Sequence, residues 1–167
     1  TQKITRELIS KIEKFTNESH FMLRRGIFFS HRDLNRLLDD YEKGKKFFLY
    51  TGRGPSGHTH IGHLVPWVFA KWLQDKFGVK MYFQLTDDEK FWAKKDMTLE
   101  KTSQFALENA LDFIALGFKP ENTKIIIDTK NIRTLYPIAA EVAKRINFSN
   151  TKAVFGFKNE TNVGMIF

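Results

Sequence analysis

The sequence has 167 residues, enough for about one domain burying roughly 70% of its unfolded surface, and its 17 phenylalanines supply core material. A formal net charge of +8 suits a polyanionic partner, while the absence of cysteine excludes disulfides and thiolate metal sites. No stretch reaches the roughly 18 uninterrupted apolar residues of a membrane span, and Thr1-Gln2-Lys3 opens no signal-peptide apolar region.

Taken in order, Ile4, Leu8, Ile9, Ile12 and Phe15 share one face of an amphipathic helix over residues 3–16. The polar break Asn17-Glu18-Ser19 and a short segment lead to Gly26. Ser30, with Asp33 three positions on, resembles a capping box opening a helix through Leu34, Leu37, Leu38 and Tyr41, and Gly44 closes it. His31 beside that cap is expected to be a polar residue of the first turn. Residues 1–45 therefore read as an N-terminal helical appendage packed on the main domain.

From Lys46 the pattern changes. A strand over 47–50, its Phe47-Phe48-Leu49 run buried, precedes a helix over 61–77 that Gly78 stops. A strand over 79–86 precedes a helix over 98–116, started by Thr98 and stopped by Gly117. A strand over 124–128 precedes a helix over 131–146, and Ala153-Val154-Phe155-Gly156-Phe157 begins a further segment. The alternation implies right-handed βαβ units around a parallel sheet across residues 46–167. Pro66 lies early in its helix and is tolerable there; Pro137 is a candidate to split the last one. Trp67 and Trp72 are expected to pack in the core.

The chemistry concentrates in Tyr50-Thr51-Gly52-Arg53-Gly54-Pro55-Ser56-Gly57-His58-Thr59-His60-Ile61-Gly62-His63. A small-residue turn between strand and helix lets backbone approach a ligand closely, and the helix N-terminus presents N–H groups to an anion. His60 and His63 fall on one side of the first helical turn, so imidazoles rather than a lysine would meet phosphates. The spacing matches neither the lysine-bearing phosphate loop nor the dinucleotide fingerprint. Polarity at a helix start is the plainer reading of the two histidines. A zinc cluster of His58, His60 and His63 is disfavoured by the flexible glycine-rich loop and the lack of a carboxylate in the run. On the second strand Tyr82, Gln84 and Thr86 share one face, opposite Met81, Phe83 and Leu85. A glutamine there needs a partner, either a ligand or a neighbouring loop. Asp87-Asp88-Glu89 reads alternatively as a hard-cation cluster.

His60-Ile61-Gly62-His63 looks like the HIGH signature of class I aminoacyl-tRNA synthetases. Together with Leu23 to Asp33, Tyr50 to His63 and Gln84 to Lys90, in that order, the chain resembles the tryptophanyl-tRNA synthetases of the eukaryotic and archaeal branch over nearly its whole length. The resemblance implies a Rossmann-like (HUP-type) α/β half-domain and a ligase that activates tryptophan with ATP and passes it to tRNA(Trp). It implies His60 and His63 as catalytic donors and Thr51, Gly52, Arg53, His60, Gly62 and His63 as the ATP site. It also implies Tyr50 and Gln84 at the indole N–H and Glu89 at the substrate ammonium. Magnesium would travel with the ATP, with no dedicated protein metal ligands. A cytoplasmic homodimer without membrane attachment is expected of the complete enzyme. The second, lysine-rich KMSKS signature and the anticodon-binding domain are missing from these residues. The chain is thus expected to be the first half of a catalytic domain, inactive alone, with most specific tRNA contacts elsewhere. Strand 47–50 is expected to be central in the complete sheet, with strands 79–86 and 124–128 successively to one side. A tyrosyl-tRNA synthetase of the same fold, or a non-catalytic synthetase-like fragment that binds a partner, remain the alternatives.

Overall fold

The computed structural model describes residues 1–166. A two-residue strand β1 (Gln2–Lys3) precedes helices α1 (Arg6–Thr16) and α2 (Phe21–Arg24), then strand β2 (Ser30–His31) and helix α3 (Leu34–Glu42). Strand β3 (Phe48–Arg53) leads to helix α4 (Ile61–Phe77), and β4 (Lys80–Leu85) to α5 (Asp87–Ala93) and α6 (Leu99–Ala115). A 3₁₀ turn at Pro120–Asn122 introduces β5 (Thr123–Ile127), α7 (Asp128–Ala143), α8 (Phe148–Phe155) and a last 3₁₀ turn at Val163–Ile166. Strands β3, β4 and β5 form a parallel sheet in that order, so β4 and β5 lie successively to one side of β3, as the sequence implies. Among the described residues no helix is long and apolar enough to cross a membrane.

By packing, the chain divides into two compact units. The first comprises Thr1–Thr51, His60–Tyr82 and Phe113–Lys124. Its core gathers Leu8, Ile12, Leu23 and Leu38, with Phe15, Phe28, Phe69, Trp72 and Phe77 packed against them. Phe28 stacks on Phe69 at 4.4 Å, which fastens the segment after α2 to α4. Trp67, 1% exposed, meets Phe113 edge-on at 5.7 Å. Trp67 is thus a core residue, and half-buried Trp72 packs against the core.

The second unit comprises Gly52–Thr59, Phe83–Asp112 and the segment from Ile125 on. It holds the carboxyl ends of all three parallel strands. Phe83 and Leu85 are fully buried on one face of β4, and Gln84 lies on the other.

Several local expectations need correction. Ser30 caps nothing; it pairs with Lys3 in a small antiparallel ladder. The N-cap of α3 is Asp33, whose side chain makes no capping bond, and the Nδ1 of His31 accepts from Leu34 N–H instead at 3.2 Å. Pro137 does not split α7, because its lost bond lies on a solvent-exposed face where water can serve the carbonyl. The strand after Lys46 is not buried on both sides: Phe48 and Tyr50 are each 63% exposed and alternate with half-buried residues. Helix α5 lies between the expected strand and helix, and three acidic residues in its first turn complement its N-terminus.

Candidate nucleotide and amino-acid site

The start of α4, in the first unit, is built by its own histidines. The Nδ1 of His60 accepts from Gly62 N–H at 3.2 Å, and the Nδ1 of His63 accepts from His60 N–H at 3.2 Å. Two of the helix's orphan donors are satisfied in this way. The rings lie 3.8 Å apart, centroid to centroid. A nitrogen that accepts carries no proton, so each neutral imidazole bears its N–H at Nε2. The helix start therefore holds a pair of imidazole donors of fixed tautomer. A side chain at Gly62 would press on the His60 ring, 3.1 Å from a built Cβ, so this glycine makes room for the imidazole. Tyr50 and Thr51, at the end of the same unit's part of β3, are exposed and half-buried respectively. Tyr50 lines an apolar groove of about 400 Å³ with Phe47, Phe69 and Leu73.

In the second unit the loop between β3 and α4 is tied down from two sides. Arg53 donates through Nη1 to Thr59 Oγ1 at 2.7 Å and through Nη2 to the carbonyls of Gly57 and His58 at 3.0 and 2.8 Å. Buried Asn109 of α6 donates to the same Gly57 carbonyl at 3.1 Å. Burial pulls the Arg53 guanidinium below its ordinary value and Asp112 opposes the shift; arginine stays charged regardless. His58 stands 85% exposed, 3.3 Å from Glu108. Gly52 allows close strand pairing, since a side chain there would collide with the Gln84 carbonyl oxygen. A side chain at Gly54 would collide with the end of Lys90.

Gln84, Glu89 and Asp128 also belong to this unit. Glu89 accepts from Thr86 Oγ1 at 2.7 Å and from the Lys90 ammonium at 2.8 Å. Burial raises its pKa, but these two donors outweigh it and hold the carboxyl below the usual range. It is a carboxylate already engaged with an ammonium. The side-chain nitrogen of Gln84 lies 2.8 and 2.9 Å from the two carboxylate oxygens of Asp128. Burial, with Asp88, Asp87 and Glu89 adding to it, pushes Asp128 up to about 6 against the Gln84 hydrogen bond. Burial likewise raises Asp88. Asp87 serves the fold: its oxygens accept from Thr129 N–H at 3.1 Å, Thr129 Oγ1 at 2.6 Å and Ser103 Oγ at 3.2 Å. A cavity of about 450 Å³ is lined by Thr86, Asp88, Glu89, Trp92, Asp128 and Phe155, among others. Asp128 and Asn109 carry no motif in the sequence, and only the need of half-buried Gln84 for a partner hinted at the former.

The family model described as tRNA synthetases class I (W and Y) matches residues 42–163. The tryptophan–tRNA ligase of Pyrobaculum calidifontis is 55% identical over 164 residues, covering 98% of this chain and 44% of that protein. That of Sulfurisphaera tokodaii is 55% identical over 168 residues, covering 100% and 44%. Among solved structures, the tryptophanyl-tRNA synthetase of Plasmodium falciparum is 44% identical with a TM-score of 0.93, over 99% of this chain and 48% of that one. The tryptophan-bound enzyme of Encephalitozoon cuniculi is 38% identical with a TM-score of 0.93, over 99% and 49%. The chain thus spans less than half the length of the curated relatives it matches.

Proposed function

Since the chain belongs to the class I tRNA synthetases of the tryptophan and tyrosine group, we propose that it carries part of the active site of a tryptophan–tRNA ligase. The reaction joins the tryptophan carboxylate to the α-phosphate of ATP with loss of pyrophosphate, then passes the acyl group to tRNA(Trp). The chemistry needs no protein nucleophile, only positioning and stabilisation of charge on phosphate oxygens. The observation that carries the reading is the imidazole pair: two Nε2–H donors of fixed tautomer at one helix start, without a lysine.

His60 and His63 donate to the developing phosphate charge, while Thr51, Gly52, Arg53 and Gly62 line the nucleotide, with magnesium carried by its phosphates. Tyr50 and Gln84 meet the indole N–H, and Glu89 exchanges an ammonium partner for the tryptophan amine. Residues 1–45 act as an appendage whose Phe28 braces α4, and residues 46–167 as the first half of the catalytic domain. The intact enzyme works as a cytoplasmic homodimer.

The test is amino-acid-dependent ATP–pyrophosphate exchange by the intact enzyme. Tryptophan supports exchange and tyrosine does not, and Gln84→Ala weakens tryptophan use far more than ATP use. A site that pairs an N–H can discriminate by about 10⁴–10⁵ against a ligand lacking it. Unchanged tryptophan kinetics in Gln84→Ala would remove this residue from the pocket, and exchange with tyrosine alone would turn the reading to the tyrosine enzyme.

A further inference from the structure

Gln84 is useful to a donor-only indole through its amide oxygen and useless through its nitrogen, so something must decide which way the amide points. The neighbouring carboxylate favours one answer. With the amide nitrogen 2.8 and 2.9 Å from the two oxygens of Asp128, N–H groups face acceptors. Rotating the amide by half a turn would set an oxygen against a carboxylate, with no proton between them and like charges in contact. A planar amide whose nitrogen is held in this way turns its oxygen away from Asp128.

We propose that Asp128 is a specificity-determining positioning residue, which selects tryptophan by fixing the Gln84 amide with its oxygen presented to the indole N–H. The inference rests on Gln84 belonging to the tryptophan pocket, as read above. The groups around Asp128 reinforce a dependence on protonation. Asp87, Asp88 and Glu89 of α5 face it, Glu89 paired with Lys90, and among the described residues Thr151, Phe155, Phe157 and Met165 add uncharged side chains to the shared cavity. At pH 7.5 Asp128 is a carboxylate and only one amide orientation is allowed. Near pH 6 it takes up a proton and can donate to the amide oxygen, so its own preference for one orientation is lost.

The experiment uses the intact enzyme, with tryptophan and its benzothiophene analogue, in which sulfur replaces the indole N–H. Asp128→Asn keeps shape and hydrogen bonding but can pair with either end of the amide. It is expected to raise the tryptophan KM at least about 2-fold, the share of correctly oriented amide lost when both orientations are populated, with the ATP KM unchanged. Use of the analogue stays as it was, so the preference for tryptophan narrows by the same factor. In the wild-type enzyme that preference falls between pH 7.5 and 5.5; in Asp128→Asn it is flat. In a Gln84→Ala background Asp128→Asn costs nothing further, because its effect runs through the amide. Additive losses in the double variant, equal losses for tryptophan and analogue, or a pH-independent wild-type preference would overturn the proposal while leaving the tryptophan pocket standing. Unchanged tryptophan kinetics in Gln84→Ala would overturn both. Should Asp128→Asn fail to fold, the wild-type pH series decides alone.

Discussion

His60 does two jobs with two different nitrogens, and substitutions can separate them. Its Nδ1 caps α4 by accepting from Gly62 N–H, while on the function proposed above its Nε2 carries the proton offered to phosphate. Asparagine places an oxygen near the Nδ1 position and has nothing at Nε2; glutamine places an N–H near Nε2 and no acceptor at Nδ1. His60→Ala loses both. Loss of an N-cap costs about 0.5–2 kcal/mol, and loss of a transition-state donor costs about 10²–10³ in kcat, or roughly 2.7–4 kcal/mol. His60→Asn in the intact enzyme is therefore expected to melt like the wild type yet lose about 10²–10³ in kcat. His60→Gln is expected to lose about 1 kcal/mol of stability yet recover part of the rate. ATP KM moves little in either, since the interaction strengthens in the transition state. Urea titration and tryptophan-dependent pyrophosphate exchange read the two effects separately. Full kcat in His60→Asn, or the same stability loss in His60→Asn as in His60→Ala, would refute the division of labour.

The glycines preceding the loop are expected to behave differently. Gly52→Ala drives a methyl into the backbone of β4 and should cost about 1–3 kcal/mol by chemical denaturation. Gly54→Ala meets only the flexible end of Lys90 and should cost less, while loosening the Lys90–Glu89 pair and raising the tryptophan KM. Asp128 has a folded pKa raised to about 6, above its unfolded value, so the native state gains stability as pH falls through 6 towards 4. Asp128→Asn should accordingly melt higher than the wild type at pH 7.5, with the gap closing by pH 5.

Local signals carried far along this chain. Gly78 ends α4 at φ 61° and Gly117 follows α6 at φ 78°, both in the left-handed region where glycine is the default, so both helix ends were legible. The alternation on β4 correctly separated buried Met81, Phe83 and Leu85 from the face bearing Gln84. What escaped depends on residues distant in sequence. Ser30 looked like a cap because its tertiary partner, Lys3, lies 27 positions upstream and claims its backbone for a ladder. Asp87 suggested a cation ligand until Thr129 and Ser103 were seen to occupy its oxygens. Gln84 demanded a partner, but nothing local could nominate Asp128, 44 positions away. The histidine pair is different: that both rings fall at one helix start is legible in four consecutive residues, whereas their use of Nδ1 to cap that start is not.

The ties on Gly57 bear on when the loop gives up its freedom. Arg53 and Asn109 converge on one carbonyl, and Arg53 also grips His58 and Thr59, so the backbone there is ordered by the fold itself. Fixing a residue's backbone costs about 1–2 kcal/mol of conformational entropy, and here that cost falls on folding. On the function proposed above, an arriving nucleotide phosphate meets a loop already shaped, and its binding enthalpy does not go into ordering the chain.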